Sequence, residues 1–286
     1  MVICLCESIS SHLAGGILLL AATGPCCVRH NVRNPLMSRT FRPARRAFIV
    51  GAGAALAATA LPVLAGTSAR ELRIGYQKAA NTLVLLKSKQ TLEKRLAPLG
   101  VSVKWTEFPA GPQLLEGLNV GAIDFGYVGE APPVIAQAAG ANFVYTAYEL
   151  PTPHAEGILV HQDAPIHTLA DLKGKKIALN KGSDVHWFLV AALQKAGITY
   201  ADIQPVFLAP ADARAAFERG AIDAWAIWDP FLEAAKQQPN ARLLADANGI
   251  VDHHPIFLSA RPFARDHGDV LAVDRDVVRN VNRPDD

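Results

Sequence analysis

The chain has 286 residues and a formal net charge of +2, with 50% hydrophobic and 19% charged residues. That length suits one large or two medium domains, and neither the small charge nor any basic run interleaved with aromatics supports a nucleic-acid partner. All four cysteines (Cys4, Cys6, Cys26, Cys27) fall in the first 27 residues, so a disulfide framework or a cysteine-ligated metal site is excluded from the rest.

In chain order, residues 1–36 carry an apolar run, LAGGILLLAA, ahead of Met37, itself a natural start. They are expected to be an over-extended N-terminus, with a membrane anchor as the alternative. Residues 37–69 have the tripartite pattern of a signal peptide. Arg42, Arg45 and Arg46 form a basic region, an Ala/Gly-rich apolar run extends from Phe48 to about Leu64, and Thr67-Ser68-Ala69 offers small residues for cleavage. Arg45-Arg46 followed by Phe48-Ile49 fits a twin-arginine signal, with the general secretory route as the alternative. GAGAAL (51–56) begins like a dinucleotide fingerprint but lacks the third glycine and a preceding strand.

From Leu72 strands and helices alternate. LRIGY (72–76) reads as a strand. Residues 82–96 read as one helix, with Leu83, Leu86, Leu92 and Leu96 at three- and four-residue spacings. VSVKWTEF (101–108) is a strand, Pro112 suits the first turn of a helix, AIDFGYVG is a strand, PPVIAQAAG is a helix closed by Gly140, and NFVYTAY is a strand. A second series follows. Thr168 and Asp171 form a capping box on a short helix, KKIAL is a strand, and Ser183 sits as the N-cap of a helix running to Gly197. QPVFLA, a helix from Asp212 to Arg219, and AIDAWAI complete it.

The two series repeat each other. GLNVGAIDFGY and AFERGAIDAWA end a helix and open a strand in the same way; Gly220 follows Gly121 by 99 positions, as Phe207 follows Phe108. The repeat predicts two similar α/β lobes, lobe 1 over 70–160, lobe 2 over 161–254, and a return to lobe 1 over 255–286. The crossings are expected near 160–165 and 251–256. One-handed crossovers bring the C-terminal ends of each lobe's strands to one edge, so the segments after those strands should face a shared cleft. NKGSD (180–184) is the best anion-binding candidate among them, with Gly182 for close approach, the Ser183 hydroxyl and the Lys181 charge at a helix start; an ordinary capped helix is the competing reading. Glu130 and Asp229 are counted among the candidate ligand-binding residues, with helix caps or lobe-to-lobe partners as the competing reading. In AIDAWAIWDPF, Trp225 and Trp228 lie three apart on a strand and face opposite ways. Ser183, Asp184 and His186 form no nucleophile elbow, and His253, His254 and His267, expected at the surface or the hinge, lack metal-binding spacing. No catalytic residue, cofactor or metal is expected.

LRIGYQK, EFPAGPQLLEGLNVGAIDFGYVGEAPPVIAQAAGA, LADLKGKKIALNKGS, PADARAAFERGAIDAWAIWDPF and LSARPFA together resemble the aliphatic sulfonate-binding proteins of bacterial ABC importers, over roughly residues 71–268. The resemblance implies a type II two-lobed periplasmic binding fold, each lobe a mixed sheet flanked by helices, with a cleft that closes over the ligand. It implies a monomeric, non-enzymatic receptor in the periplasm that delivers an aliphatic sulfonate to an inner-membrane permease. Headgroup contacts would come from Gln77, Gly111, Pro112, Gly129, Lys181, Gly182 and Ser183, and the apolar side from Trp228 first and Trp225 second. Taurine, nitrate, an aromatic sulfonate or a pyrimidine precursor are alternative ligands, and an enzyme on the same fold is a more distant one. The chain departs from the family at Tyr127-Val128-Gly129-Glu130, where Ser-Thr-Gly-Asp is frequent, which leaves room for a different or bulkier ligand. It departs again after Val270, where the family's C-terminal helices are missing and lobe 1 is expected to be left partly uncovered.

Overall fold

The computed structural model describes residues 70–280; residues 1–69, on which the expectations of an over-extended N-terminus and a signal peptide fall, and residues 281–286 lie outside the described residues. In chain order the elements are β1 (Arg70–Tyr76), α1 (Asn81–Lys89), α2 (Thr91–Leu96), β2 (Val101–Glu107), α3 (Gly111–Asn119), β3 (Phe125–Val128), α4 (Ala131–Ala138), β4 (Phe143–Tyr148), β5 (Glu156–His161), β6 (Lys176–Leu179), α5 (Asp184–Lys195), β7 (Gln204–Phe207), α6 (Pro210–Glu218), β8 (Ala224–Trp228), α7 (Phe231–Lys236), β9 (Ala241–Asp246), β10 (Ile256–Ala260), α8 (Arg261–Asp266) and α9 (Gly268–Asn280). They form two five-stranded mixed sheets, β2-β1-β3-β10-β4 in lobe 1 and β7-β6-β8-β5-β9 in lobe 2. Four strands of each run in one direction, three of them paired side by side in parallel; the fifth runs the other way, β10 antiparallel between β3 and β4 and β5 antiparallel between β8 and β9.

The repeated GAID segment has a structural job in both lobes. Gly121 and Gly220 end their helices at φ 72° and 68°, left-handed values that suit glycine. The aspartate after each then bridges to the neighbouring strand. The Asp124 amide donates to the Arg73 carbonyl at 2.7 Å while its Oδ2 accepts the Arg73 amide at 2.9 Å. Asp223 does the same with Lys176, at 2.9 and 2.7 Å. The carboxylate therefore carries the ladder beyond the start of β3 and β8, which is why these strands begin at residues 125 and 224 and not at the alanine of GAID.

Two expectations need correction. The helix expected over 82–96 is broken at Gln90, whose φ is 54°. At about 100° per residue, an unbroken helix would turn Leu92 roughly 180° from Leu83; the break resets the phase, and Leu83, Leu86, Leu92 and Leu96 all join one core. The first crossing precedes residue 156, not 160–165, because β5 is hydrogen-bonded between β8 and β9 in the lobe 2 sheet. Glu156–His161 therefore belongs to lobe 2. The second crossing does lie between β9 and β10, over 247–255.

Lobe 1 buries one apolar cluster on each face of its sheet, under α1, α2 and α9 on one side and under α3 on the other. Lobe 2 has one continuous core that includes Trp225. Helix α9 seats Val270 and Leu271 in the lobe 1 core, and Asp269 pairs with Arg70 at 2.7 Å. The same helix buries Asp274, and neither of its carboxylate oxygens has a hydrogen-bond partner. Burial pushes this carboxyl from its ordinary 3.8 up to about 8. A raised native pKa favours folding while the group is protonated, and that contribution is lost as pH rises from about 4 through 8. Asp274→Asn should therefore raise Tm more at pH 8 than at pH 5, by at least about 2–4 °C, the shift that roughly 1 kcal/mol produces in a domain of this size. Thermal melts at the two pH values check it, and an equal shift at both would count against an uncompensated Asp274.

Candidate functional site

In each sheet the parallel strands end on one edge, and the segments that follow them meet the two crossings around a cavity of about 170 Å³. Gln77, Ala79 and Asn81 come from the end of β1 and the start of α1, Gly111 from the start of α3, and Tyr127 and Gly129 from the end of β3. Lobe 2 supplies Ser183 and Asp184 at the start of α5, Trp228 as the last residue of β8, and Asp229 just after it. The crossings supply Glu149, Thr152, His154, Ala155, His253 and Pro255.

Several lining groups are already fixed by the protein. The Gln77 side-chain amide donates to the Tyr127 carbonyl at 3.0 Å. The Ser183 hydroxyl donates to the Asn180 carbonyl at 2.7 Å, so Ser183 holds the N-cap position of α5 without a side-chain cap bond. Burial holds the Tyr127 phenol well above its ordinary pKa, and its ring meets Phe257 edge-on. Trp228 is the last residue of β8 and lies opposite Glu156 of β5, which puts its indole where core gives way to cavity.

Of the residues expected at the ligand, Gln77, Gly111, Gly129, Ser183, Trp228 and Asp229 line this cavity. Five do not. Lys181 is exposed and holds its ammonium 5.4 Å from the centre of the Phe207 ring. Gly182 commits its amide to Nδ1 of His186 at 3.1 Å, and the position of a Cβ on Gly182 is 3.8 Å from Pro112, so these two residues meet across the lobes outside the cavity. Glu130 accepts the His254 amide at 2.8 Å and thereby ties lobe 1 to the second crossing. Trp225 is buried in the lobe 2 core near Phe217. Asp229 lines the cavity and also caps α7, accepting the Glu233 amide at 3.1 Å. The crossing residues carry no motif, and a first crossing placed at 160–165 hides them. Asp184 is visible in NKGSD but reads there as an ordinary first-turn acid.

Three charges are packed beside the cavity. Glu156 is 1% exposed, and His253 Nδ1 lies 3.1 Å from its Oε1, an ion pair without hydrogen-bond alignment. Asp184 reaches from lobe 2 into lobe 1, where its Oδ1 accepts the amide of Ala131 at 2.8 Å, in the first turn of α4. Burial would lower the His253 pKa, but Glu156, with help from Asp184 and Glu130, raises it to about 9. Burial and the nearby Glu156 push Asp184 up to about 7, against the opposite pull of His253 and the Ala131 amide. Among the described residues only these three bring metal-type donor atoms within 4.8 Å of one another, and the His253 imidazolium already supplies the cation between the two carboxylates.

The lobes approach each other tightly at Gly129. A Cβ there would lie 1.9 Å from Oδ2 of Asp184, a separation that atoms never tolerate. Gly129→Ala is expected to lower stability by about 1–3 kcal/mol through overpacking, and Asp184→Ser in the same chain should recover much of that loss. Thermal melts of the four proteins in the cycle measure this; additive effects would mean that the two residues do not press on each other.

The family model described as NMT1/THI5 like matches residues 99–272. A protein of Escherichia coli (strain K12) named for the binding of aliphatic sulfonates is 52% identical over 213 residues, 74% of this chain and 66% of that one. A Bacillus subtilis (strain 168) protein of the same name is 37% identical over 201 residues, 70% of this chain and 60% of its own. The chain thus spans about two thirds or less of the length of these curated relatives. Among solved structures, the alkanesulfonate-binding protein SsuA from Xanthomonas axonopodis pv. citri bound to MOPS aligns with a TM-score of 0.70 at 46% identity, covering 75% of each chain. The periplasmic aliphatic sulphonate binding protein SsuA from Escherichia coli aligns at 0.63 and 49% identity, covering 74% of each. The two mixed sheets described above are those of the type II periplasmic binding fold, and the chain belongs to the NMT1/THI5-like family.

Proposed function

We propose that the protein is a monomeric periplasmic receptor that captures an aliphatic sulfonate between its lobes and delivers it to the permease of an ABC importer. The observation that carries this reading is the convergence of both lobes on one cavity, with Gln77, Gly111, Gly129 and Ser183 on its polar side and Trp228 on its apolar side. Sequence identities of 46–52% to sulfonate-binding proteins over most of the chain support the ligand class. A sulfonate is a small anion with three acceptor oxygens, and amide groups at strand ends and helix starts suit it without a paired cation.

The site has the chemistry of a receptor. Ser183 spends its proton on a backbone carbonyl, and the nearest helical imidazole, His186, accepts a backbone amide, so neither is arranged as a nucleophile and base. A zwitterionic sulfonate such as taurine is the second reading, because Glu149, Asp184 and Asp229 line the same cavity and offer counter-charge to an ammonium.

A thermal-shift series with ethanesulfonate, hexanesulfonate, taurine, sulfate and nitrate tests the reading. A bound sulfonate at a hundred times its dissociation constant should stabilise the protein by about 2.7 kcal/mol; a shift with nitrate or sulfate and none with any sulfonate would refute it. Trp228→Ala should weaken hexanesulfonate at least about tenfold more than ethanesulfonate, since each buried methylene contributes about 0.8 kcal/mol. Equal losses for both ligands would remove Trp228 from the tail site.

A further inference from the structure

We infer that Asp184 is a built-in competitor of the ligand's headgroup: its carboxylate lines the cavity while it accepts the amide of Ala131, and a sulfonate enters only when that carboxylate is neutralised. The inference rests on the sulfonate reading and adds a specificity-determining residue to it. The geometry is direct. Asp184 lines the cavity beside Ser183 and Gly129. It crosses from lobe 2 to accept the α4 amide at 2.8 Å, and it presses so closely on Gly129 that no side chain fits between them. A carboxylate and a sulfonate want the same donors, and the two anions repel each other across a cavity of only about 170 Å³.

A sulfonate stays ionised at any ordinary pH, so relief must come from the protein. The charged and titratable groups facing Asp184 are Glu156 on β5, His253 on the second crossing, Glu130 before α4 and Tyr127 on β3, with His186 on its own helix and Glu149, His154 and Asp229 around the cavity. His253 holds its proton up to about pH 9, burial keeps the Tyr127 phenol protonated, and burial together with Lys181 pushes His186 below its ordinary value. Asp184 is poised near 7. Its neutral form is present below that pH, and the sign follows: anion affinity is highest in acid and declines as pH rises through 7. If only the neutral form accepts the ligand, apparent affinity scales with its fraction, an approximately tenfold loss between pH 6 and pH 8.

Calorimetric titration of the wild-type protein and Asp184→Asn with ethanesulfonate, in buffers of different ionisation enthalpy from pH 5.5 to 8.5, tests this. The wild type should lose about tenfold in affinity between pH 6 and 8 and take up about one proton per ligand at pH 8. The Asn variant should bind with little pH dependence and no such uptake, and more tightly than wild type at pH 8. Wild-type affinity that is level across this range without proton uptake would overturn the inference while leaving the sulfonate reading intact, even if the variant does not fold. Wild type and variant with the same pH profile would overturn it too. Absence of ethanesulfonate binding to both proteins at every pH would overturn both.

Discussion

His253 sits on the second crossing with a left-handed φ of 54°, its imidazole against Glu156, the first residue the chain lays down after the first crossing. Each crossing feeds directly into the antiparallel strand that is fourth in its lobe's sheet, β5 on one side and β10 on the other. The Glu156–His253 pair therefore joins the two connections at the point where they pass each other. Glu156 is too deeply buried to be solvated, and a buried carboxylate without its cation is strongly destabilising. The position of the crossings, and with it the geometry of the cleft, is tied to that pair.

The same pair sets the electrostatics of the cleft. One imidazolium stands beside two carboxylates, and burial together with the nearby Glu156 pushes the Asp184 carboxyl up. On the sulfonate reading the anion meets amide dipoles and not a lysine or arginine; Lys181, the obvious candidate for a counter-charge, is turned away over Phe207. A site of this kind discriminates by shape and by the state of its own acids. Gly129 belongs to the same arrangement, because the lobes can approach this closely only where one of them has no side chain.

The sequence makes the two-lobed plan readable because the repeat is structural: Gly121 with Asp124, and Gly220 with Asp223, perform identical backbone tasks, so the same four letters recur. The alternation of strand and helix is also legible, as is the assignment of Trp225 and Trp228 to opposite sides of β8. Three features are not. The break at Gln90 comes from the need to point two leucine pairs at one core, which a spacing rule taken over short intervals does not register. The place of β5 depends on pairing with β8 and β9, residues far along the chain. The importance of Asp184 depends on what lobe 1 puts opposite it, and nothing in NKGSD specifies an amide 53 residues earlier. Lys181 shows the converse error, a charge in a suggestive motif that the fold directs elsewhere.

On the reading proposed above, a sulfonate headgroup takes the place at the lobe interface that Asp184 holds without it. A crystal structure of the protein with an alkanesulfonate at pH 6 tests it most directly. The headgroup is expected among Gly111, Gly129 and Ser183, the tail against Trp228, and the Asp184 carboxyl no longer held on the Ala131 amide as an anion: either moved away or within hydrogen-bonding distance of a sulfonate oxygen as a donor. A headgroup bound elsewhere, at Lys181 for instance, with Asp184 unchanged on Ala131 and out of reach of the ligand, would contradict it.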